Sequence, residues 1–224
     1  MNQFVIIVAG GSGSRMGSEM PKQFLPVGGL PILMHTIRRF RLYSADLKPI
    51  LVLPEAQIPV WEDLCRTHQF AEPVEVTPGG ASRFQSVRNG LSRIPSEEGL
   101  VAVHDGVRPF VTTDMIRNGF ETAARTGSAV TCVPLKDSAR LLHPDGRSEA
   151  VDRTQYRLIQ TPQTFQLALF RNAFLTPEQP FFTDCASVVE YAGFPITLID
   201  GAYENIKITT PEDLVWAESF LVER

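Results

Sequence analysis

Cysteine is scarce in this chain of 224 residues. Cys65, Cys132 and Cys185 are odd in number and widely scattered, a pattern that suits neither a disulfide framework nor a zinc site. The expected compartment is therefore the reducing cytosol. Long apolar runs are also missing. None approaches the roughly eighteen residues that a membrane span needs, and the opening Met1-Asn2-Gln3 carries no basic segment of the kind that leads a secretory signal. Positive charge is not in excess: 21 Lys and Arg face 25 Asp and Glu, a net charge of -4. That balance argues against a nucleic-acid partner, which needs a basic face. No internal repeat, low-complexity tract or linker divides the chain, so a single domain spanning residues 1–224 is expected.

Glycine, by contrast, is concentrated. The apolar run Phe4 to Val8 reads as a buried first strand, and Ala9-Gly10-Gly11-Ser12-Gly13-Ser14-Arg15-Met16-Gly17 follows it directly. A glycine-rich turn between strand and helix leaves backbone N–H groups free to cradle an anion. Arg15, and Lys22 in Pro21-Lys22-Gln23-Phe24, add two cations. Glycines alone would only bind a phosphate, whereas glycines with two cations can also stabilise charge that builds on a phosphorus centre. The spacing is not that of a P-loop, because no Gly-Lys-Ser/Thr ends it. Nor is it the dinucleotide fingerprint, since Gly11, Gly13 and Gly17 are spaced one residue too far apart. The plain alternative is a surface turn with two surface salt bridges.

Short apolar segments at Phe4–Val8, Ile50–Leu53, Val74–Thr77, Leu100–Val103 and Ala129–Val133 alternate with helical stripes. Leu33, Ile37 and Phe40 form one stripe; Phe84, Val87, Leu91 and Ile94 another; Ile116, Phe120 and Ala123 a third. This pattern predicts an α/β fold with a Rossmann-like, mostly parallel twisted sheet and helices on both faces. Ligands of such sheets bind beyond the carboxyl ends of the strands. The glycine loop, Gly79-Gly80 and Asp105 with Arg108 all follow strands, so the topology brings them to one edge.

Beyond Pro134 the character changes. Residues 135–157 are rich in charge and contain Pro144-Asp145-Gly146, the signal of a tight hairpin. Two strands alone are marginal in water, so this arm either docks on another surface or is a mobile excursion. Helices are expected near Gln166–Phe174, Asp184–Ala192 and Pro211–Val222, the last with Thr210 as N-cap, Pro211 at its first position and Asp213 completing a box. Ile196–Ile199 reads as a further strand. His104, at a strand end, is expected to be structural.

The glycine loop, the Pro-Lys-Gln-Phe segment, Gly79-Gly80-Ala81-Ser82-Arg83, His104-Asp105-Gly106-Val107-Arg108-Pro109, Asp152-Arg153, Gln160-Thr161-Pro162-Gln163, Thr183-Asp184 and Asn205-Ile206-Lys207 occur in an order and spacing that span nearly the whole chain. Together they resemble the nucleotidyltransferases that join a nucleoside triphosphate to a phosphorylated sugar or polyol. More narrowly they resemble the 2-C-methyl-D-erythritol 4-phosphate cytidylyltransferases of non-mevalonate isoprenoid synthesis. The resemblance implies a phosphate oxygen of the acceptor attacking the α-phosphorus of CTP, with pyrophosphate leaving. The nucleophile is already an anion, so repulsion and transition-state charge are the obstacles, and positioned cations meet both.

It further implies Arg15, Lys22 and Lys207 as catalytic cations. Ala9, Gly10, Gly11, Gly13, Gly80, Ala81, Arg83 and Ser86 would bind CTP. Asp105, Arg108, Thr161 and Asp184 would lie on the second-substrate side, with Ser138 and Arg153 reaching there from a partner chain. The family often carries an acidic residue where this chain has Ala81, so only a backbone contact carries over at that position. Mg²⁺ is implied as cofactor, held mostly by the CTP phosphates, with Asp105 either assisting it or binding acceptor hydroxyls. The arm implies a homodimer with arm exchange. Each residue also has a plainer reading: Thr161 as a turn before proline, Asp184 as a helix cap, Lys207 as a solvent-facing lysine of an alternating segment. Two other functions remain open, a ribitol 5-phosphate cytidylyltransferase and, in another class, a nicotinamide-dependent oxidoreductase or a nucleotide-binding module without catalysis.

Overall fold

The computed structural model describes residues 1–10 and 20–222. Gly11, Gly13 and Arg15, read above as part of the anion cradle, lie outside the described residues. Seven strands form one sheet. In chain order they are β1 (Gln3–Val8), β4 (Ile50–Leu53), β5 (Glu75–Pro78), β6 (Leu100–Asp105), β7 (Ser128–Pro134), β10 (Arg157–Gln166) and β11 (Leu198–Asp200). Across the sheet the order is β11-β7-β10-β6-β1-β4-β5. Every pairing is parallel except those of β10, which runs antiparallel to both β6 and β7. Two small ribbons stand apart: β2 (Pro26–Val27) with β3 (Leu30–Pro31), and β8 (Arg140–Leu142) with β9 (Ser148–Ala150).

Helices α1 (Ile32–Tyr43), α2 (Ile58–Thr67) and α4 (Thr113–Thr126) cover one face, and α3 (Arg83–Leu91), α5 (Leu167–Ala173) and α6 (Cys185–Tyr191) the other. Successive strand residues point to opposite faces, and β1 feeds both cores. Val5 and Ile7 pack with Leu33, Ile37, Phe40, Phe120 and Trp61. Ile6, between them, packs with Phe84, Val87, Leu91 and Phe170. A strand buried on both sides reads as a continuous apolar run, which is why these strands are visible in the sequence. A third cluster joins Ile208 and α7 (Pro211–Val222) to Ile32, Val107 and Phe110 beside the carboxyl edge of the sheet.

Local chemistry sets the helix ends. Ser82, Thr112 and Asp184 accept from the backbone N–H three residues on, at the starts of α3, α4 and α6. Asp213 accepts from Thr209 N at 2.8 Å and Thr210 N at 2.9 Å at the start of α7. The hairpin expected at residues 144–146 is present as β8–β9, with Gly146 at φ +85°.

The structure corrects the sequence reading in two places. Gln160-Thr161-Pro162-Gln163 is not a turn: it is the middle of β10, where the register shifts between Ile159 and Gln163. Helix α2 was not read from the sequence, although Ile58, Trp61, Leu64 and Cys65 form an apolar stripe that packs on the core.

Candidate active site

At the carboxyl ends of β1, β5 and β6 lies a cleft of about 270 Å³. Ala9 and Gly10 from the end of β1, Lys22, Gly80, Ala81, Arg83 and Ser86 around the start of α3, Asp105 from the end of β6 and Lys207 from the segment before α7 all line it. The segment after β6 can pass this close only because residue 106 is glycine: a Cβ there would sit 2.8 Å from the Ala9 Cβ and 3.0 Å from Leu33. At Gly80 a Cβ would sit 2.3 Å from that of Gln85, so the turn that carries the α3 N-terminus tolerates no side chain there.

Asp105 is the electrostatic centre. Its Oδ2 lies 3.1 Å from Lys207 Nζ and 3.2 Å from Arg108 Nε, and its Oδ1 lies 3.7 Å from Arg83. Burial alone would raise the carboxyl pKa, but Lys207, Arg83 and Arg108 outweigh it and hold the group well below the usual carboxylate range. Arg83 is in turn held above its ordinary value: burial opposes its charge, and Cys185 and Asp105 overcome that. Arg83 and Lys207 both line the cleft beside this one carboxylate, and Lys22 lines it as well, which leaves an excess of positive charge there. Such a surface favours an anionic ligand.

Behind Asp105 a buried polar network fixes its position. The Asp105 N–H donates to Thr161 Oγ1 at 3.0 Å. His104 lies within 3.0 Å of the same hydroxyl through Nδ1 and 3.1 Å of the Arg108 carbonyl through Nε2. A carbonyl only accepts, so Nε2 carries the proton and Nδ1 accepts from Thr161. Burial lowers the His104 pKa to about 4, which keeps the ring neutral and structural. Arg108 Nη1 donates to the Asn205 carbonyl at 2.8 Å, and Asn205 Nδ2 donates to Thr161 O at 2.8 Å. These bonds tie the segment bearing Lys207 to β10 and β6.

The second-substrate candidates therefore divide. Asp105 lines the cleft. Arg108 and Thr161 are buried behind it, with their polar groups turned to Asp105, Asn205 and His104, so within this protomer they brace the site and do not line it. Asp184 caps α6, its Oδ1 accepting from Ser187 N at 2.9 Å and its Oδ2 from Gln163 Nε2 at 2.9 Å. Ser138 and Arg153 sit on the exposed arm and are not among the residues that line the cleft, and Arg153 Nη1 donates to the Lys136 carbonyl. Ser86 faces the cleft with its proton given to Ser82 O at 2.8 Å and one lone pair taken by Gly80 N at 3.1 Å, which leaves one acceptor site. Ser82, read from the sequence within the Gly79-to-Arg83 segment, is also in the lining, and so is Gln23, which was given no role of its own. The only signal for Gln23 was its place beside Lys22.

Mostly parallel strands covered on both faces, with a cation-rich cleft at their carboxyl edge, define an α/β enzyme of the nucleotidyltransferase class. A model of the family described as IspD, 2-C-methyl-D-erythritol 4-phosphate cytidylyltransferase, matches residues 3–223, and the chain belongs to that family. A 2-C-methyl-D-erythritol 4-phosphate cytidylyltransferase of Bacteroides thetaiotaomicron is 53% identical over 96% of this chain and 97% of its own length. One from Bacillus licheniformis is 40% identical over 99% and 96%. Among solved structures, the Thermus thermophilus enzyme of the same name superposes with a TM-score of 0.80 at 33% identity, covering 98% of each chain. Of the readings the sequence left open, family membership favours the methylerythritol phosphate enzyme.

Proposed function

We propose that the chain transfers the cytidylyl group of CTP to 2-C-methyl-D-erythritol 4-phosphate, giving 4-diphosphocytidyl-2-C-methyl-D-erythritol and pyrophosphate. The observation that carries this reading is the meeting of Arg83 and Lys207 on Asp105 in one cleft at the strand ends, which Lys22 also lines. A phosphate oxygen of the acceptor forms a bond to the α-phosphorus of CTP, the bond from that phosphorus to the α,β-bridging oxygen breaks, and its electron pair leaves with pyrophosphate. No general base is required, because the nucleophile is an anion at neutral pH. The protein's task is to hold two anions in line and to stabilise the charge of the transition state.

In this reading Ala9, Gly10, Gly80, Ala81, Arg83 and Ser86 hold the nucleotide, with Gly11 and Gly13 from the glycine loop. Lys22 and Arg15 face the triphosphate, where a point charge and a planar donor fork suit developing phosphorane charge. Lys207 holds the acceptor phosphate, and Asp105, kept ionised by its cations, accepts from acceptor hydroxyls. Arg108, Thr161 and Asp184 fix that side from behind.

Mg²⁺ is part of the proposal as the companion of CTP. Among the described residues no three His, Cys, Asp or Glu side chains gather into a metal site, and the oxygens of Asp105 already face three cations. The protein groups therefore do not fit a metal cage, the ion's oxygens come from the triphosphate, and no step is routed through it.

The exposed arm, residues 135–157, carries Leu141 and Leu142 open to solvent, and the neighbouring Leu158 is likewise exposed. It is proposed to embrace a second copy in a two-fold dimer, bringing Ser138 and Arg153 to the partner's acceptor side. No helix among the described residues is long and apolar enough to cross a membrane, and a cytoplasmic setting is proposed from the unpaired cysteines. Pyrophosphate release, measured with each nucleoside triphosphate and with methylerythritol phosphate, ribitol phosphate and glucose 1-phosphate as acceptors, tests the reading. Release confined to CTP with methylerythritol phosphate is expected. Release with CTP and ribitol phosphate alone would replace the acceptor, and no release with any pair would remove the activity.

A further inference from the structure

One fully buried polar side chain in the wall of the cleft has no part in the chemistry above. Gln23 follows Lys22 in the 3₁₀ turn Lys22–Phe24, is 0% exposed and lines the cleft. Its Nε2 donates to the Ala9 carbonyl at 2.8 Å and to Gln57 Oε1 at 2.5 Å. Its Oε1 has no hydrogen-bond partner among the described residues. A buried carboxamide must place its polar groups on partners, and those of Gln23 among the described residues are two acceptors held by Nε2.

That nitrogen holds a particular peptide. The Ala9 N–H donates to Val52 O at 2.9 Å, so once Gln23 takes the carbonyl both polar groups of Ala9 are anchored in protein. The Ala9–Gly10 bond is not cis, and a trans peptide sets the C=O and the following N–H on opposite sides. Fixing the Ala9 carbonyl against Gln23 thus fixes the direction of the Gly10 N–H, at the first residue of the glycine loop and in the lining of the cleft. Gly10 has no side chain to hold its own backbone.

We infer that Gln23 is a positioning residue for nucleotide binding: it locks the Ala9–Gly10 peptide plane so that the Gly10 N–H is presented to the nucleotide. The inference rests on the reading that this cleft takes CTP. It predicts an effect confined to the nucleotide, because Gln23 touches neither Asp105 nor Lys207.

Two variants test it, each checked for folding by thermal unfolding. Gln23→Met keeps length and volume and removes the donor. Gln23→Glu replaces the donor with a carboxylate at neutral pH, but a protonated glutamate regains one O–H donor, and burial raises the pH at which that happens. CTP affinity is read by calorimetric titration with Mg²⁺ from pH 8 to pH 5.5, each value divided by that of the wild type at the same pH to cancel ionisation of the triphosphate. Gln23→Met is expected to weaken CTP about tenfold, the scale of one lost hydrogen bond, at all pH values, with the KM for the acceptor unchanged. Gln23→Glu is expected to weaken it further at pH 8 and to recover toward the wild type as the pH falls. Wild-type CTP affinity in folded Gln23→Met, a loss in Gln23→Glu that does not recover, or an equal rise in the acceptor KM would overturn the inference while leaving the functional reading in place. A wild type that does not bind CTP would overturn both.

Discussion

The cleft and the arm are built from the same charged residue types and use them in opposite ways. In the arm, Asp145 accepts from Arg147 Nε at 2.6 Å, a shorter contact than either of those made by Asp105 Oδ2 in the cleft. Yet the arm pair stands in solvent, where water screens it and the ordering of two free side chains offsets its attraction. Asp105 and Arg108 are each about nine-tenths buried, and there the loss of one partner leaves charges that water cannot reach. Surroundings, more than distance, decide what an ion pair contributes. The cleft holds a preorganised charge pattern, and the arm holds charges that stand in solvent.

The sharpest way to break this contrast is Asp105→Asn. It leaves Lys207, Arg83 and Arg108 facing one another without their carboxylate. The expected loss is about 3 kcal/mol of folding stability, toward the lower end for a broken buried pair because Lys207 is partly exposed; denaturant unfolding would measure it. A loss no larger than that of a surface change would erase the distinction. The pH dependence follows from the direction of the shift. The folded pKa of Asp105 is depressed, so its contribution is complete above the ordinary carboxylate pKa of about 4 and is lost as the pH falls through the lower folded value. Wild-type stability should therefore fall more steeply with acid than that of Asp105→Asn.

Next in size, Lys22→Ala should lower turnover by about 10²–10³-fold, the scale of one lost transition-state donor, and Arg15→Ala should do the same. An unchanged turnover number in a folded variant would deny the cleft its catalytic charge. On the arm, Leu142→Ser should leave thermal stability within about 0.5 kcal/mol, as for other surface substitutions, while shifting the protein from dimer toward monomer in sedimentation. A monomeric wild type would remove the proposed embrace. The smallest effect is expected at Asp145→Ala, with no measurable change in melting temperature despite the short ion pair. A clear loss there would mean that the arm is less open than its exposure indicates.

The strands and helices that bury apolar faces were legible because their signal is local. Val5, Ile6 and Ile7 announce a strand covered on both sides, and Phe84, Val87 and Leu91 announce one helix stripe. The convergence of the glycine turn, Gly80 and Asp105 followed from parallel topology alone. Strand β10 was not legible, because Gln160, Thr161, Gln163 and Thr164 are polar and buried at its centre. Gln163 becomes tolerable there through bonds to Asp184 and to the backbone of Cys185 and Ala186, over twenty residues away. The inward turn of Arg108 and Thr161 was hidden for the same reason: their partners, Asn205 and His104, lie 97 and 57 residues away in the chain.

The sequence by itself determined the α/β alternation, the meeting of Gly10, Gly80 and Asp105 at one sheet edge, and the hairpin of the arm. Periodicity and turn chemistry are properties of neighbouring residues, and they survive without any knowledge of the whole. Only the tertiary structure decided that Lys207, Arg83 and Arg108 would share one carboxylate, that His104 would stay neutral behind it, and that Gln23 would clasp Ala9. A buried polar group must find its partner wherever the fold brings one, and that partner's distance along the chain leaves no periodic trace.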